Sequence, residues 1–308
     1  MKIGITLGDP AGIGPEIILK TAPYIKHMNN VHIYGNKRLL RKTAFDLGLL
    51  HEYEELRETL VDCGDSITYR YGKPTKTTGR VALQSLNCAL KAQVDILITP
   101  PIVKDVIRYH IPNFTGHTEY LARHFNTKNY AMVGLWHTKR IMLVTTHMPL
   151  QHIFKHVTQR AIFEKIVLLN WGLKRYFSVN MPRIGVSALN PHAFEFSLGE
   201  EEKIMRAIAQ ARQSKINAEG PHPADTLFDR DLDGFLTMYH DQAMIYLKSK
   251  NNGLNFTLGL PIVRLSPLYG AALDIAGTNT AEVSGFIAAI KQGIKLHRNA
   301  RRYDRKNV

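Results

Sequence analysis

The chain has 308 residues, 44% of them hydrophobic, enough to bury one large core or two modest ones. Its formal charge of +14 raises the question of nucleic acid, but Lys and Arg are scattered apart from one cluster, His297-Arg298-Asn299-Ala300-Arg301-Arg302, and no zinc-finger, basic-zipper or aromatic-basic RNA-binding signature occurs, so no nucleic-acid partner is expected. The two cysteines, Cys63 and Cys88, form no C-x-x-C pair, no apolar leader opens the chain and no run approaches the roughly 18 apolar residues of a membrane span, so the expectation is a reduced, cytoplasmic protein without membrane attachment.

Short apolar runs alternate with helical periodicity along the chain, the pattern of an α/β fold with a largely parallel sheet. Strands are predicted at Ile3–Leu7, Val31–Tyr34, Asp95–Thr99, Ile141–Thr145, Ile184–Ala188 and Phe235–Met238. Helices are predicted at Pro15–Lys26, Lys37–Leu47, Gly79–Ala92, Thr118–His124, Thr158–Tyr176, Glu200–Ile216 and Ala281–Leu296. Pro15 and Glu16 mark the first helix start, since proline tolerates that position and an acid complements the helix dipole. No linker or repeat divides the chain, so any two lobes must arise from excursions of the chain between them.

In open α/β sheets ligands collect beyond the carboxyl ends of strands, and the residues there are polar. The first strand runs into Gly8-Asp9-Pro10-Ala11-Gly12-Ile13-Gly14, which lacks the third glycine of G-x-G-x-x-G and the G-K-[ST] of a P-loop. It reads equally as a tight turn or as a site wall with Asp9 facing a ligand. The fourth, fifth and sixth strands run into segments that carry His147, His192 and His240. Imidazole is the commonest neutral nitrogen ligand, and three such ligands leave a coordination position open, so these histidines are the candidate holders of a divalent metal. A second group, His117 and Thr118 at a helix start with Lys248, Asn255 and Arg264, offers donors suited to phosphate or carboxylate, although from the residues alone Lys248 and Arg264 read more readily as ordinary surface charges.

Several ordered segments resemble one family. They are Gly8-Asp9-Pro10-Ala11-Gly12-Ile13-Gly14-Pro15-Glu16, Gly116-His117-Thr118-Glu119, Thr145-Thr146-His147-Met148-Pro149-Leu150, Leu189-Asn190-Pro191-His192-Ala193, Pro223-Ala224-Asp225-Thr226, Tyr239-His240-Asp241-Gln242 and Asn255-Phe256-Thr257-Leu258-Gly259-Leu260-Pro261. Nearly end to end, the chain resembles the PdxA family of pyridoxal phosphate biosynthesis, the 4-hydroxythreonine-4-phosphate dehydrogenases. The resemblance implies a two-lobed α/β/α subunit like isocitrate and isopropylmalate dehydrogenases, with residues 1–308 forming two interleaved α/β lobes, and a homodimer with shared active sites. It also implies one divalent ion per subunit (Zn, Mg or Co) on His147, His192 and His240, and a small phosphorylated hydroxy-amino acid bound by His117, Thr118, Lys248, Asn255 and Arg264. NAD or NADP would be the oxidant, bound without a Rossmann fingerprint, and Asp225 or Lys248 the general base.

The implied reaction oxidises 4-phosphooxy-L-threonine to 2-amino-3-oxo-4-phosphooxybutanoate, which decarboxylates to 3-amino-2-oxopropyl phosphate. Departures from the family pattern cluster near the expected site. An ITGP-type segment reads Ile98-Thr99-Pro100-Pro101, NPHAGEGG reads Asn190-Pro191-His192-Ala193-Phe194-Glu195-Phe196-Ser197, HDQG ends in Ala243, and Asp-His-Gly is Leu268-Tyr269-Gly270. Two alternatives therefore stand beside the family reaction: a sister dehydrogenase for another phosphorylated four-carbon hydroxy acid, and a metal- and anion-binding homologue without turnover.

Overall fold

The computed structural model describes residues 1–307. Its strands are β1 (Ile3–Thr6), β2 (Val31–Gly35), β3 (Leu60–Asp62), β4 (Ile96–Ile98), β5 (Ala131–Trp136), β6 (Lys139–Leu143), β7 (Arg183–Ser187), β8 (Asn217–His222), β9 (Gly234–Thr237), β10 (Leu254–Leu258) and β11 (Val263–Pro267). The chain forms two compact units, one of Met1–Leu121 with Ile262–Ile294 and one of Ala122–Pro261 with Lys295–Val308.

In the first unit the strand order is β3-β2-β1-β4-β11, and every pairing is parallel. Ile3, Ile5, Ile96, Ile98 and Leu265 are wholly buried, as expected of parallel strands covered on both faces. The predicted helix Pro15–Lys26 is two helices, Gly14–Lys20 and Ala22–Ile25. Thr21 turns its hydroxyl back onto the carbonyls of Ile17 and Ile18, at 2.5 and 2.9 Å, and Pro23 starts the second helix. The helix predicted from Gly79 begins at Lys76, because Thr75 and Thr78 form a reciprocal capping box ahead of it.

The second unit has the order β10-β5-β6-β9-β7-β8. The pairings β10–β5 and β5–β6 are antiparallel, whereas β6–β9, β9–β7 and β7–β8 are parallel. The sheet of this unit is therefore mixed, which the alternating pattern did not reveal. Strand β5 opposes β6 across a tight turn in which His137 takes φ +48°, and Gly134 of β5 lies under Leu247.

The helix predicted over Ala281–Leu296 runs over Ser284–Lys306, so the basic cluster at residues 297–302 is helical. Within the second unit, Asn299 donates to the Tyr176 carbonyl at 2.8 Å, and Arg175 grips Asp304 through two nitrogens at 2.8 and 2.7 Å. These contacts dock the last turns on the helix Gln159–Phe177.

Candidate active site

Four adjacent parallel strands of the second unit, in the order β6, β9, β7 and β8, point their carboxyl ends the same way. The segments that follow them carry His147, His240, His192 and Asp225 respectively. The first two ends are tied together: Val144 N–H donates to the Thr237 carbonyl at 2.8 Å, and the Thr145 hydroxyl donates to the Met238 carbonyl at 2.7 Å. As a result the His147 and His240 rings lie 5.4 Å apart, centroid to centroid, tilted by 46°.

His192 sits on the next strand end in a different setting. It is exposed, and both it and Ala193 adopt left-handed backbone angles, φ +55° and +57°. Such angles are uncommon outside glycine, Asn, Asp and His, so Ala193 is the more unusual of the two. The loop is held by Glu201, a fully buried residue in the first turn of the helix Glu200–Gln213. Its carboxylate accepts from the Leu189 and Asn190 N–H groups at 3.1 and 2.9 Å and from the Asn190 side-chain amide at 3.1 Å. Burial opposes ionisation of Glu201, yet these hydrogen bonds outweigh it and hold the carboxyl below its ordinary range.

The donor chemistry of these histidines fits a metal. His192 Nδ1 lies 2.9 Å from Glu195 Oε2, and His240 Nδ1 lies 2.7 Å from Asp241 Oδ1. A carboxylate at Nδ1 keeps the proton there and leaves Nε2 of the neutral ring with its lone pair available, the arrangement by which outer carboxylates orient metal-binding imidazoles. Two of the three rings are adjacent. Among the described residues, no group of three or more His, Cys, Asp or Glu is drawn into one metal-holding cluster. Asp225 is exposed in the turn Ala224–Leu227. Lys248, also exposed, ends the helix His240–Lys248, about 12 Å from His240 along the axis at the usual rise per residue. Asn255, in β10 opposite Gly134 of β5, keeps a buried side-chain oxygen with no hydrogen-bond partner among the described residues.

The first unit carries a second polar cluster. Arg264 in β11 is 2% exposed and donates through Nε and Nη2 to the Thr99 hydroxyl beyond β4, at 3.2 and 2.6 Å. Burial lowers the Arg264 pKa to about 9, against the pull of Glu119, which leaves it charged at neutral pH. His117 and Thr118 begin the helix His117–His124, with Thr118 buried. Desolvation, reinforced by the Arg264 and Lys104 charges, holds the His117 imidazole well below its ordinary range. It is neutral at physiological pH and can both donate and accept a hydrogen bond.

Lys104 escaped the sequence reading. Its amine and Glu119 Oε2 lie 3.7 and 3.1 Å from where a Cβ on Gly116 would stand, and burial lowers the Lys104 pKa. Only its position six residues past β4 hinted at it. Glu201, which braces the His192 loop, was equally hidden, because its partners Leu189 and Asn190 lie on another element; Gln242 was legible as part of a motif but its contacts with Ser187 and Ala188 were not.

The open question of the first loop is resolved in favour of structure. Asp9 is wholly buried and accepts from Ala11 N–H at 2.9 Å and the Thr78 hydroxyl at 3.3 Å. A Cβ on Gly12 would stand 2.8 Å from the Ala271 carbonyl oxygen, and Gly8, at φ +74°, packs as closely on Pro101. These glycines allow backbone to approach backbone.

The fold and these strand-end groups define the class: α/β proteins that gather functional side chains at the carboxyl edge of a parallel sheet. The family described as "Pyridoxal phosphate biosynthetic protein PdxA" matches residues 27–293. A 4-hydroxythreonine-4-phosphate dehydrogenase of Sulfurihydrogenibium sp. is 36% identical over 97% of this chain and 99% of its own length. One of Aquifex aeolicus is 34% identical over 94% of this chain and 96% of its own. The crystal structure of the Klebsiella pneumoniae 4-hydroxythreonine-4-phosphate dehydrogenase superposes with a TM-score of 0.79 at 29% identity, covering 96% of this chain and 99% of that one. The chain belongs to the PdxA family. Among the described residues no helix is long and apolar enough to cross a membrane.

Proposed function

We propose that this protein is a metal-dependent, NAD- or NADP-linked 4-hydroxythreonine-4-phosphate dehydrogenase, acting in the cytoplasm as a homodimer with shared active sites. It oxidises 4-phosphooxy-L-threonine to 2-amino-3-oxo-4-phosphooxybutanoate, a β-keto acid that loses carbon dioxide to give 3-amino-2-oxopropyl phosphate. The observation that carries this reading is the near full-length match to relatives bearing that name, at 36% identity over 97% of the chain. The three strand-end histidines, two of them with Nδ1 occupied by carboxylates, support it from the residues upward.

His147, His192 and His240 would hold a divalent ion such as Zn, Mg or Co, which supplies Lewis-acid polarisation of the substrate's 3-hydroxyl. The nicotinamide supplies the hydride acceptor. Arg264, charged and already braced by Thr99, binds the substrate's anionic groups, with Lys248, Asn255, Thr118 and neutral His117 adding donors. Of the two candidate bases, Asp225 stands on the strand edge that carries the histidines, while Lys248 lies two helical turns from His240. We therefore assign removal of the 3-hydroxyl proton to Asp225.

A second reading, a sister dehydrogenase for another phosphorylated hydroxy acid, is favoured by Phe194 and Phe196. Both are exposed beside His192, and the Phe196 ring is 5.8 Å from the imidazole. One assay decides: a panel of phosphorylated hydroxy acids with NAD and NADP, followed by reduced-nicotinamide absorbance. The expected result is turnover of 4-phosphooxy-L-threonine, abolished by chelation and restored by Zn, Mg or Co. Full activity after verified metal removal overturns the metal assignment; turnover of a different acid alone selects the sister reading; no turnover of any acid selects the metal- and anion-binding homologue without activity.

A further inference from the structure

We infer that Gln242 is a positioning residue for His192, a role that rests on the metal reading above. Gln242 lies two residues past His240, in the first turn of the helix His240–Lys248, yet its side chain reaches the end of the neighbouring strand β7. Its Oε1 accepts from the Met238 N–H at 2.9 Å and from the Ser187 hydroxyl at 3.0 Å, while its Nε2 donates to the Ala188 carbonyl at 2.8 Å. A backbone N–H can only donate and a backbone carbonyl can only accept, so the two main-chain partners allow the amide a single orientation.

The latch joins Met238, the residue just past β9, to Ser187 and Ala188 at the end of β7, where both chains leave the sheet. Beyond Ala188 the chain has four residues to reach His192. Glu201 restrains Leu189 and Asn190 from the other side, and the Ala188 N–H donates to the His222 carbonyl of β8 at 2.7 Å. Gln242 is thus the one of these restraints that ties the His192 segment to the element bearing His240. Removing it releases the Ala188 carbonyl and lets the His192 loop shift against its neighbours. Carboxylate partners orient the histidine rings; Gln242 locates the backbone on which one of them stands.

The test is metal binding by the full-length protein, measured by zinc competition with a chromophoric chelator and by the visible spectrum of the cobalt form. In the parent protein, His147→Ala, His192→Ala and His240→Ala should each weaken zinc binding; if none does, the ligand reading fails, independently of Gln242. If they do, Gln242→Met, which keeps the shape but loses the donor and the strong acceptor, should weaken zinc binding about 10- to 100-fold and alter the cobalt bands. In a His192→Ala background the same substitution should add less than about twofold, because its effect passes through His192. A purely structural role would add its full effect there. Unchanged affinity and spectrum, or additivity with His192→Ala, overturns the inference. Should Gln242→Met not fold, Ser187→Ala removes one of the three bonds; it must show a smaller loss that also vanishes without His192, and the absence of that loss overturns the inference equally.

Discussion

Asp9 and Arg264 show how burial converts single residues into measurable behaviour. Burial raises the Asp9 carboxyl from 3.8 to about 6, so between those values the folded chain keeps a proton that the unfolded chain has released. Stability from this group is complete below pH 4 and is lost as pH rises toward 6. Asp9→Asn, whose amide oxygen can still accept from Ala11, removes that loss. The stability of the parent relative to Asp9→Asn should fall by roughly 3 kcal/mol between pH 4 and 7 in urea denaturation. Parallel curves for the two proteins would show that the carboxyl is unperturbed. Arg264 meets Thr99 through two nitrogens, a geometry that one ammonium cannot reproduce. Arg264→Lys should raise KM for the phosphorylated substrate about 10-fold while KM for the nicotinamide stays within about twofold, as steady-state kinetics will show. His147, His192 and His240 were legible as strand-end residues because the apolar runs before them are unambiguous. Lys104 and Glu201 were not, because what gives them a place is contact with another element, which leaves no local pattern.

Among the elements, β1, β2, β4, β6, β7 and β9 were visible as apolar β-branched runs, and their ends located the candidate site. Strand β5 was missed although its sequence is apolar, because Gly134 interrupts the run and a glycine in a strand ordinarily weakens the case for one. Its reason is packing: a Cβ there would overlap Leu247 Cδ1, and Leu247 is fully buried on the helix that starts at His240. Gly134→Ala should therefore cost about 1–3 kcal/mol in thermal or urea denaturation, through displacement of that helix. In a Leu247→Ala background the added methyl has room, and the penalty should largely disappear. Equal penalties in both backgrounds would mean that the helix is not what the methyl meets. Short β3, with three residues, and β10, read only as part of a motif, carry too little periodicity to be separated from loops.

For the whole molecule, the proposed shared active site makes a counting prediction. If the three histidines of one site come from two subunits, single His→Ala variants at 147, 192 and 240 are each inactive alone. Mixed dimers carrying lesions in ligands donated by different subunits place both lesions in one site and leave the other intact. Random reassociation of equal amounts then restores about one quarter of the sites. Two of the three pairings should complement and the third stay silent, which identifies the histidines that share a chain. No recovery in any pairing, with subunit exchange verified, would confine the site to one subunit. The chain path has a different consequence, one that concerns synthesis. The first unit needs β11 to complete the free edge of β4, but the whole stretch Ala122–Pro261 is translated in between. At ordinary elongation rates that interval is on the order of ten seconds or more. During it the nascent chain carries an apolar parallel strand with an unpaired rim, while most of the second unit can already close on itself. Completion of the first unit's sheet therefore waits until residues 263–267 emerge, after nearly all of the second unit has been made.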